Sequence, residues 1–283
     1  MSSVATMPLS SSFHPSRRPR VLVTGGGVRL GAAIATTFAQ AGWRVVCQYR
    51  ASEAAAHALR LNLTAQGHQI ETLSGDLTTE AGRQTLMQEV LTGGPLDCLI
   101  NNASAFEPDT GTSFDPELAR NQLEVNLIAP LSLSRLLAAA LPEDSRIDQR
   151  NASVIHILDQ KVFNLNPDYF SYTVTKLALE RAVALQAQAL APRVRVCGVA
   201  PGLLYLSGPQ TQENFDRASR VNLLRRPTDP QDVARTCLFL AQTRSITGCT
   251  LPVDSGQHLV PLERDVMFVA DVLPSHPTVQ AST

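Results

Sequence analysis

Tyr172 and Lys176 are the clearest candidates for chemistry in this chain of 283 residues. They stand four positions apart in the segment YTVTK, a spacing that places both side chains on one face of a helix. A phenol is a poor acid near neutral pH, and a neighbouring ammonium stabilises its phenolate and lowers its pKa. The pair could therefore deliver a proton to a substrate, and the ammonium could also hold a ribose. The same spacing occurs by chance in many helices, so the pair needs support from other motifs.

A glycine-rich turn near the N-terminus offers such support. The segment TGGGVRLG, residues 24–31, directly follows the apolar run at 21–23. Glycines let the backbone approach a pyrophosphate, and the N-terminus of the next helix favours its negative charge. The glycines that fit this role are Gly25, Gly26, Gly27 and Gly31. An ordinary tight turn is the alternative, and Arg29 is unusual because such turns often hold glycine at that position.

The residues after the second apolar run indicate which dinucleotide would bind. An NAD enzyme usually has an acid about 20 residues after the turn, where it binds the ribose hydroxyls. Here the sequence reads QYRAS, and no acid follows until Glu53. Arg50 and Ser52 offer a cation and a hydroxyl, which suit the 2′-phosphate of NADP; a solvated arginine is the alternative. Further on, Asp76 and Leu77 could flank the adenine, and Asp76 could equally cap the next helix.

These motifs need a scaffold that brings several turns to one edge of a sheet. Short β-branched runs alternate with longer Ala/Leu-rich runs along the chain. Strands are predicted at 20–24, 44–49, 69–73, 96–101, 152–158, 194–199 and 250–253, and helices at about 30–41, 52–66, 79–92, 116–140, 171–190 and 230–242. Almost wholly apolar strands suit a sheet that is covered on both faces. The alternation predicts one α/β domain with a doubly wound parallel sheet of about seven strands and helices on both faces.

Composition excludes several classes of protein. The net charge is −1, which gives no reason to expect a nucleic-acid or membrane-surface partner. No apolar run approaches the roughly 20 residues of a membrane span. The five cysteines lack the spacing of a metal site. We therefore predict buried free thiols, no metal and a cytoplasmic location.

The two ends of the chain differ from the regular pattern between them. Residues 1–19 are rich in serine, contain no acid and lack the apolar stretch of a secretory signal. They are predicted to form a disordered tail, with a transit peptide as the weaker alternative. The catalytic domain is predicted to span 20–260. Residues 261–283 form a C-terminal tail that either docks on the domain or is disordered.

Two further motifs make the combination specific. NNAS, at 101–104, ends the fourth predicted strand, and Pro201-Gly202 follow the sixth. With the glycine turn and YTVTK, residues 18–260 resemble the short-chain dehydrogenase/reductase family. The resemblance implies a Rossmann-type domain, a nicotinamide dinucleotide and usually a tetramer. Asn126, in EVNLIAP, is similar to the asparagine that supports a proton-relay water and the lysine in that family.

One position departs from the family pattern. The family normally has a serine thirteen residues before its tyrosine, and this chain has Asp159 there, in HILDQK. In a carbonyl reductase the serine donates to the developing alkoxide, which a carboxylate would repel in a poorly solvated site. Asp159 suits a substrate that gains a proton at nitrogen, such as an imine in a fused ring. A solvent-facing aspartate in a turn is the alternative.

A subset of the family, the pteridine reductases, shares this departure. That subset also has the turn TGxxxRxG and an aromatic residue after NNAS, and this chain matches both with Arg29 and Phe106. The resemblance implies that Arg29 places its guanidinium between the pyrophosphate and the pterin. It also implies that Phe106 stacks the pterin against the nicotinamide. The alternatives are a simple counter-ion for Arg29 and a core position for Phe106.

The resulting hypothesis is an NADPH-dependent reductase that converts a dihydropterin or dihydrofolate into its tetrahydro form. The predicted catalytic residues are Asp159, Tyr172, Lys176 and Asn126, and the predicted substrate contacts are Arg29, Ser104, Phe106, Asp159 and Tyr172. The predicted NADP contacts are Thr24, Gly25, Gly27, Arg29, Leu30, Gly31, Tyr49, Arg50, Ser52, Asp76, Leu77, Asn102, Ala103, Ser104, Tyr172, Lys176, Pro201 and Gly202. Two other functions stay open: an NADP-dependent reductase of a ketone or sugar, and a dinucleotide-sensing protein without turnover.

Two expectations concern larger features. The loop from Leu203 to about Arg225 is expected to close over the substrate. The helix after Tyr172 reads LALERAVALQAQAL and is apolar around much of its circumference. Such a helix needs more than one sheet to cover it. We therefore expect a homotetramer.

Overall fold

The structure, a computed structural model, describes residues 17–142, 152–208 and 210–271. In these residues seven strands form one parallel sheet in the order β3-β2-β1-β4-β5-β6-β7. The strands are β1 (Arg20–Val23), β2 (Arg44–Tyr49), β3 (Ile70–Ser74), β4 (Cys98–Asn101), β5 (Ala152–Ile157), β6 (Val194–Pro201) and β7 (Thr250–Val253). The predicted doubly wound parallel sheet is confirmed.

Helices cover both faces of this sheet, as expected. They are α1 (Arg29–Gln40), α2 (Glu53–Ala65), α3 (Glu80–Thr92), α4 (Pro116–Leu123), α5 (Ala129–Ala140), α6 (Phe170–Leu190), α7 (Gln212–Ala218), α8 (Pro230–Gln242) and α9 (Val266–Val269). On one face, Phe38 of α1 and Leu240 of α8 pack in a buried cluster with β-strand residues. On the other face, Leu133 of α5 and Leu179 of α6 do the same. The five cysteines are free, and four of them are buried.

The strand order reverses between β1 and β4, which pair in register with Val23 opposite Ile100. The chain leaves these two neighbouring strands toward opposite faces of the sheet, so a crevice opens at their carboxyl ends. The glycine turn follows β1, and NNAS begins at the last residue of β4. The fold therefore brings the two motifs together at this crevice.

The predicted helix at 116–140 is one continuous run with an irregular centre. A π-helical turn at Glu124–Ile128 separates α4 from α5. In the described part of the chain, this run alone is long and apolar enough to cross a membrane by length and composition. Its residues Leu133 and Leu137 are fully buried against the sheet, which is the position of a core helix.

The described part of the predicted C-terminal tail, 261–271, docks on the domain. Arg264 forms an ion pair with Asp168, and α9 packs against α7. Asn214 of α7 donates a hydrogen bond to the carbonyl oxygen of Met267. The loop expected to close over the substrate thus contains a helix of its own, α7. Residues 1–16 and 272–283, which make up most of the two predicted tails, lie outside the described residues.

Candidate active site

A cleft of about 780 Å³ lies along the carboxyl edge of the sheet, where the predicted site residues were expected to meet. The predicted residues that line it are Gly25, Arg29, Leu30, Gly31, Arg50, Ser52, Leu77, Asn102, Ala103, Ser104, Phe106, Asp159, Tyr172, Lys176, Pro201 and Gly202. They come from the ends of six strands, β1 to β6, and from the segments that follow them. The predicted residues that do not line it are Thr24, Gly27, Tyr49, Asp76 and Asn126.

The glycine turn has a backbone that requires its glycines. Gly25 has a φ of +60°, a left-handed conformation that glycine adopts without steric cost. A Cβ added to Gly31 would lie 2.1 Å from the carbonyl oxygen of Gly25. Any side chain at Gly31 would therefore push the turn away from the N-terminus of α1, where an anion would bind.

Arg29 is the first residue of α1 and has a left-handed φ of +50°. Its guanidinium lies over the ring of Tyr205, 5.1 Å from the centroid, and donates a hydrogen bond to the carbonyl oxygen of Leu206. Both partners belong to the loop after β6. Arg29 therefore links the turn to that loop at the mouth of the cleft.

Thr24 lies behind the cleft and joins the turns after β1 and β4. Its hydroxyl oxygen accepts hydrogen bonds from the backbone N–H groups of Asn102, at 2.9 Å, and Ala103, at 3.0 Å. The side-chain amide of Asn102 donates to the carbonyl oxygen of Thr24 at 2.9 Å. Thr24 thus positions two residues that line the cleft.

Gly27 and Tyr49 also take supporting positions. A Cβ on Gly27 would lie 3.1 Å from the Ser52 hydroxyl, so a glycine there lets the turn pack against the start of α2. Tyr49 is buried, and its hydroxyl lies 3.5 Å from a carboxylate oxygen of Glu53. Neither Tyr49 nor Glu53 lines the cleft.

The end of the cleft near β2 and β3 carries no acid among its described lining residues, which are Gln48, Arg50, Ala51, Ser52, Leu77 and Thr78. Arg50 is exposed there. Asp76 turns instead toward its own chain, where its carboxylate accepts from the backbone N–H of Thr78 at 2.9 Å. This hydrogen bond lowers the pKa of the Asp76 carboxyl. Asp76 therefore stabilises the turn before α3, and the cap of that helix is Thr79, whose hydroxyl accepts from the backbone N–H of Gly82 at 3.1 Å.

Asp159 and Tyr172 meet in the cleft. The Tyr172 hydroxyl donates to Oδ2 of Asp159 at 3.0 Å, and the backbone N–H of Lys161 donates to Oδ1 at 2.9 Å. Burial raises the pKa of the Asp159 carboxyl. Burial, followed by the charge of Asp159, raises the pKa of Tyr172 well above its usual value. Both groups therefore hold their protons to a higher pH than they would in water.

Lys176 lies beside this pair without a hydrogen bond to it. Its ammonium donates to the carbonyl oxygen of Ile157 at 2.8 Å and lies 5.6 Å from the centre of the Tyr172 ring. Burial lowers the pKa of Lys176 to about 8. We expected from the sequence that the ammonium would lower the pKa of Tyr172. That expectation is wrong because burial and the Asp159 carboxylate dominate at the phenol.

Asn126 lies in the π-helical turn, fully buried behind the cleft. Its side chain accepts from the backbone N–H of Ala105 at 2.8 Å and donates to the Ala105 carbonyl oxygen at 2.8 Å. It also bonds the hydroxyls of Ser104 and Thr175, both at 3.1 Å. Among the described residues it makes no hydrogen bond with Lys176. Asn126 therefore fixes the segment after β4 to α6.

Phe106 presents an aromatic face at the cleft and is 37% exposed, which rules out a core position. Its ring stacks on Tyr169 with centroids 4.2 Å apart and an interplanar angle of 18°. It also meets Tyr172 edge-on at 4.7 Å. Phe268 of α9 lies nearly parallel to Tyr169 at 6.4 Å. Phe106 is thus held by aromatic neighbours beside Asp159.

Several cleft residues escaped the sequence analysis: Gln160, Lys161, Tyr169, Asp265 and Met267. Lys161 is buried, and its ammonium lies 3.1 Å from a carboxylate oxygen of Asp265. Tyr169 has a left-handed φ of +53° and donates its hydroxyl proton to the Met267 sulfur at 3.1 Å. Lys161 could have been suspected from its position two residues after Asp159. Nothing in the sequence placed the C-terminal residues beside it.

A glycine turn, a tyrosine–lysine pair and an acid at the carboxyl edge of this sheet define an oxidoreductase that uses a nicotinamide dinucleotide. A family model described as enoyl-(acyl carrier protein) reductase matches residues 27–258. The chain belongs to the short-chain dehydrogenase/reductase family, and within it is similar to the pteridine reductase subset.

Known relatives span nearly the same domain. An uncharacterized oxidoreductase of Mycobacterium tuberculosis is 32% identical over 242 residues, which cover 83% of this chain and 90% of the relative. Dihydromonapterin reductase of Escherichia coli K12 is 27% identical over 241 residues, with 84% and 96% covered. The crystal structure of FolM alternative dihydrofolate reductase 1 from Brucella canis, complexed with NADP, has a TM-score of 0.80 and 36% identity, and covers 85% of this chain and 94% of that one.

Proposed function

We propose that this NADP-dependent oxidoreductase reduces a 7,8-dihydropterin to the tetrahydropterin. The observation that carries the proposal is the hydrogen bond of 3.0 Å between Tyr172 and Asp159, beside the exposed ring of Phe106. A flat, nitrogen-rich ring can stack on Phe106 and receive a proton from this pair. The names of the Escherichia coli and Brucella relatives support the same class of substrate.

The cleft fits NADPH. The left-handed Gly25 and the absence of a side chain on Gly31 leave room for a pyrophosphate at the N-terminus of α1. Arg50 and Ser52 would hold the 2′-phosphate, and Lys176 the nicotinamide ribose. When bound, NADPH supplies the hydride for the reaction.

Residues of the chain supply the proton for the reaction. In a 7,8-dihydropterin the reducible double bond joins N5 and C6. The hydride goes to C6 and a proton to N5, so that one dihydropterin, one NADPH and one proton yield one tetrahydropterin and one NADP+. Because the pKa of both Asp159 and Tyr172 is raised, this pair carries the proton that N5 takes, and solvent replaces it. Phe106 holds the ring beside the pair.

Reduction of a ketone or sugar is less well supported by this geometry. The Asp159 carboxylate accepts a hydrogen bond from the Tyr172 hydroxyl, so an alkoxide bound at Tyr172 would lie close to a carboxylate. A dinucleotide sensor without turnover would not require the partly buried Asp159 and the buried Tyr172 and Lys176 to remain together. Both alternatives are distinguished from pterin reduction by one measurement.

The measurement is NADPH consumption with dihydromonapterin, dihydrobiopterin and dihydrofolate side by side, together with a panel of ketones and sugars. We expect NADPH oxidation with at least one dihydropterin and none above background with the carbonyl compounds. Turnover of a carbonyl compound alone would contradict the proposal. Binding of NADPH with no turnover of any substrate would favour the sensor.

A further inference from the structure

The C-terminal segment 261–271 forms part of the wall of the cleft. Asp168 accepts hydrogen bonds from the guanidinium of Arg264, at 2.7 to 2.9 Å, and from the backbone N–H of Asp265, at 2.7 Å. Asp168 lies just before α6, the helix that carries Tyr172. These hydrogen bonds therefore attach the C-terminal segment to the start of that helix. Asp265, Val266 and Met267 then line the cleft.

Asp265 is the ionised group that this segment brings to the cleft. One carboxylate oxygen lies 3.1 Å from the Lys161 ammonium, and the other accepts from the backbone N–H of Met267 at 3.2 Å. The side chain is 19% exposed. A carboxylate can accept about four hydrogen bonds, so two acceptor positions remain for a ligand.

The substrate chemistry places the C6 substituent on this wall. C6 takes the hydride and N5 the proton, so both atoms lie beside Asp159 and Tyr172 in the proposed reaction. The backbone of Lys161 donates to Asp159, and its side chain pairs with Asp265. A chain attached to C6 therefore leaves the ring next to the Lys161–Asp265 pair.

This wall carries hydrogen-bond acceptors, and its cationic side chains are already paired with acids. Gln160 lines the cleft, but its Oε1 is enclosed by the protein, so the accessible acceptors are carboxylates. Lys161 is paired with Asp265, and Arg264 with Asp168. Glu107 adds a second exposed acid to the lining. Hydroxyl groups would find acceptors here, whereas the glutamate carboxylates of a folate would meet negative charge.

We propose that Asp265 is a specificity-determining residue, which accepts hydrogen bonds from hydroxyl groups on the C6 side chain of the pterin and disfavours anionic side chains. The inference rests on the proposed pterin reduction and adds the class of side chain. A polyhydroxyalkyl dihydropterin is therefore the preferred substrate over dihydrofolate. Lys161 acts as a positioning residue, because it holds the Asp265 carboxylate against the wall.

The test compares three substrates that differ only at C6: a methyl dihydropterin, a trihydroxypropyl dihydropterin and dihydrofolate. In the parent enzyme, kcat/KM for the trihydroxypropyl compound should exceed that for dihydrofolate by about tenfold or more. Asp265→Asn should lower kcat/KM for the trihydroxypropyl compound about tenfold, as the loss of hydrogen bonds to a charged group does. Its effect on the methyl compound should be much smaller, because there the charge of Asp265 acts only through the pKa of Asp159 and of Tyr172. Because each ratio is taken within one preparation, a loss of folded enzyme does not affect it.

Glu263→Gln is the matched control, since it removes the same charge from an exposed position of the same segment outside the cleft. It should leave all three substrates unchanged. Calorimetry with the NADP-bound enzyme should show the same weakening of trihydroxypropyl binding in Asp265→Asn alone. A parent enzyme that reduces dihydrofolate as efficiently as the trihydroxypropyl compound, or an equal loss on the methyl compound, would overturn the role of Asp265. Absence of turnover with all three compounds in the parent would instead refute the pterin reduction itself.

Discussion

The hydrogen bond between Asp159 and Tyr172 explains why a carboxylate occupies a position that usually holds serine in this family. A serine hydroxyl donates to an alkoxide and cannot supply a net proton at nitrogen without a partner. A partly buried carboxyl with a raised pKa can hold that proton and pass it through the phenol. The identity of this one residue therefore bears directly on the substrate.

Replacement of Asp159 tests this role. Asp159→Ala should lower turnover on a dihydropterin by about 10²-fold, the usual cost of losing a general acid. Asp159→Ser restores the usual residue of the family, and we expect pterin turnover to stay low while a trace of carbonyl reduction emerges. NADPH affinity, measured by fluorescence titration, should barely change in either variant. A serine variant as fast as the parent on dihydropterin would show that the carboxylate is incidental.

The pH profile of turnover gives a second measure of the same residue. In the proposed reaction the protonated carboxyl of Asp159 is the active form, and burial raises its pKa. Turnover should therefore be highest at low pH and fall as the pH rises through the pKa of Asp159. Asp159→Ala should lose this dependence along with most of its activity. A parent profile that rises with pH in the same range would contradict an acid role.

We predict that Arg50 selects the cofactor at the other end of the cleft. No acid lines that end among the described residues, and Arg50 is exposed to bind a 2′-phosphate. NADPH should bind more tightly than NADH in the parent enzyme. Arg50→Asp should weaken NADPH binding and spare NADH, as titration of both cofactors would reveal. Equal affinities of the parent for the two cofactors would refute this assignment.

At the scale of elements, the position of Tyr172 depends on how α6 begins. The helix starts after Tyr169, which has a left-handed backbone and provides no side-chain cap. Asp109, from the segment after β4, supplies one instead: its carboxylate accepts from the backbone N–H of Ser171 at 2.9 Å and from the Ser171 hydroxyl. Asp109 is buried. It therefore joins the segment that carries Phe106 to the helix that carries Tyr172.

Asp109→Ala should lower both stability and activity. Loss of a helix cap costs about 1–2 kcal/mol of unfolding free energy, and a buried serine would also lose its acceptor. Because Phe106 and Tyr172 are no longer held together, kcat on dihydropterin should fall several-fold. Asp229→Ala is the control, since Asp229 caps α8 by accepting from the backbone N–H of Gln231 at 2.8 Å. It should cost similar stability in chemical denaturation and leave kcat unchanged; an equal loss of kcat in both variants would refute the special role of Asp109.

The sequence predicted the strands and helices well because apolar runs determine what can be buried in a layered sheet. It could not predict the π-helical turn around Asn126, whose side chain is hydrogen-bonded by Ser104, Ala105 and Thr175 from distant segments. It also missed Asp265, which lies near Asp159 through an ion pair with Lys161. Such contacts depend on tertiary packing, and no local periodicity records them.

At the scale of the whole molecule, one face of the subunit leaves several large apolar side chains exposed. On α6, Val174 is 43% exposed and Leu185 is 65% exposed. Ile128, in the π-helical turn that packs beside α6, is 41% exposed. An exposed apolar strip along two adjacent helices is typical of a surface that binds another subunit. If a second copy covers this strip, a two-fold axis brings the same strip of both subunits into contact.

We therefore expect a homotetramer, in which two copies pair through this strip and two such pairs assemble. Light scattering at working concentration should give a mass about four times 30.5 kDa. Leu185→Glu should shift the mass toward smaller species, because it places a charge inside an apolar contact. Leu61→Glu is the matched control, since Leu61 is 61% exposed on α2, away from the strip. A parent mass of one subunit, or the same shift with both variants, would show that the strip is not an interface.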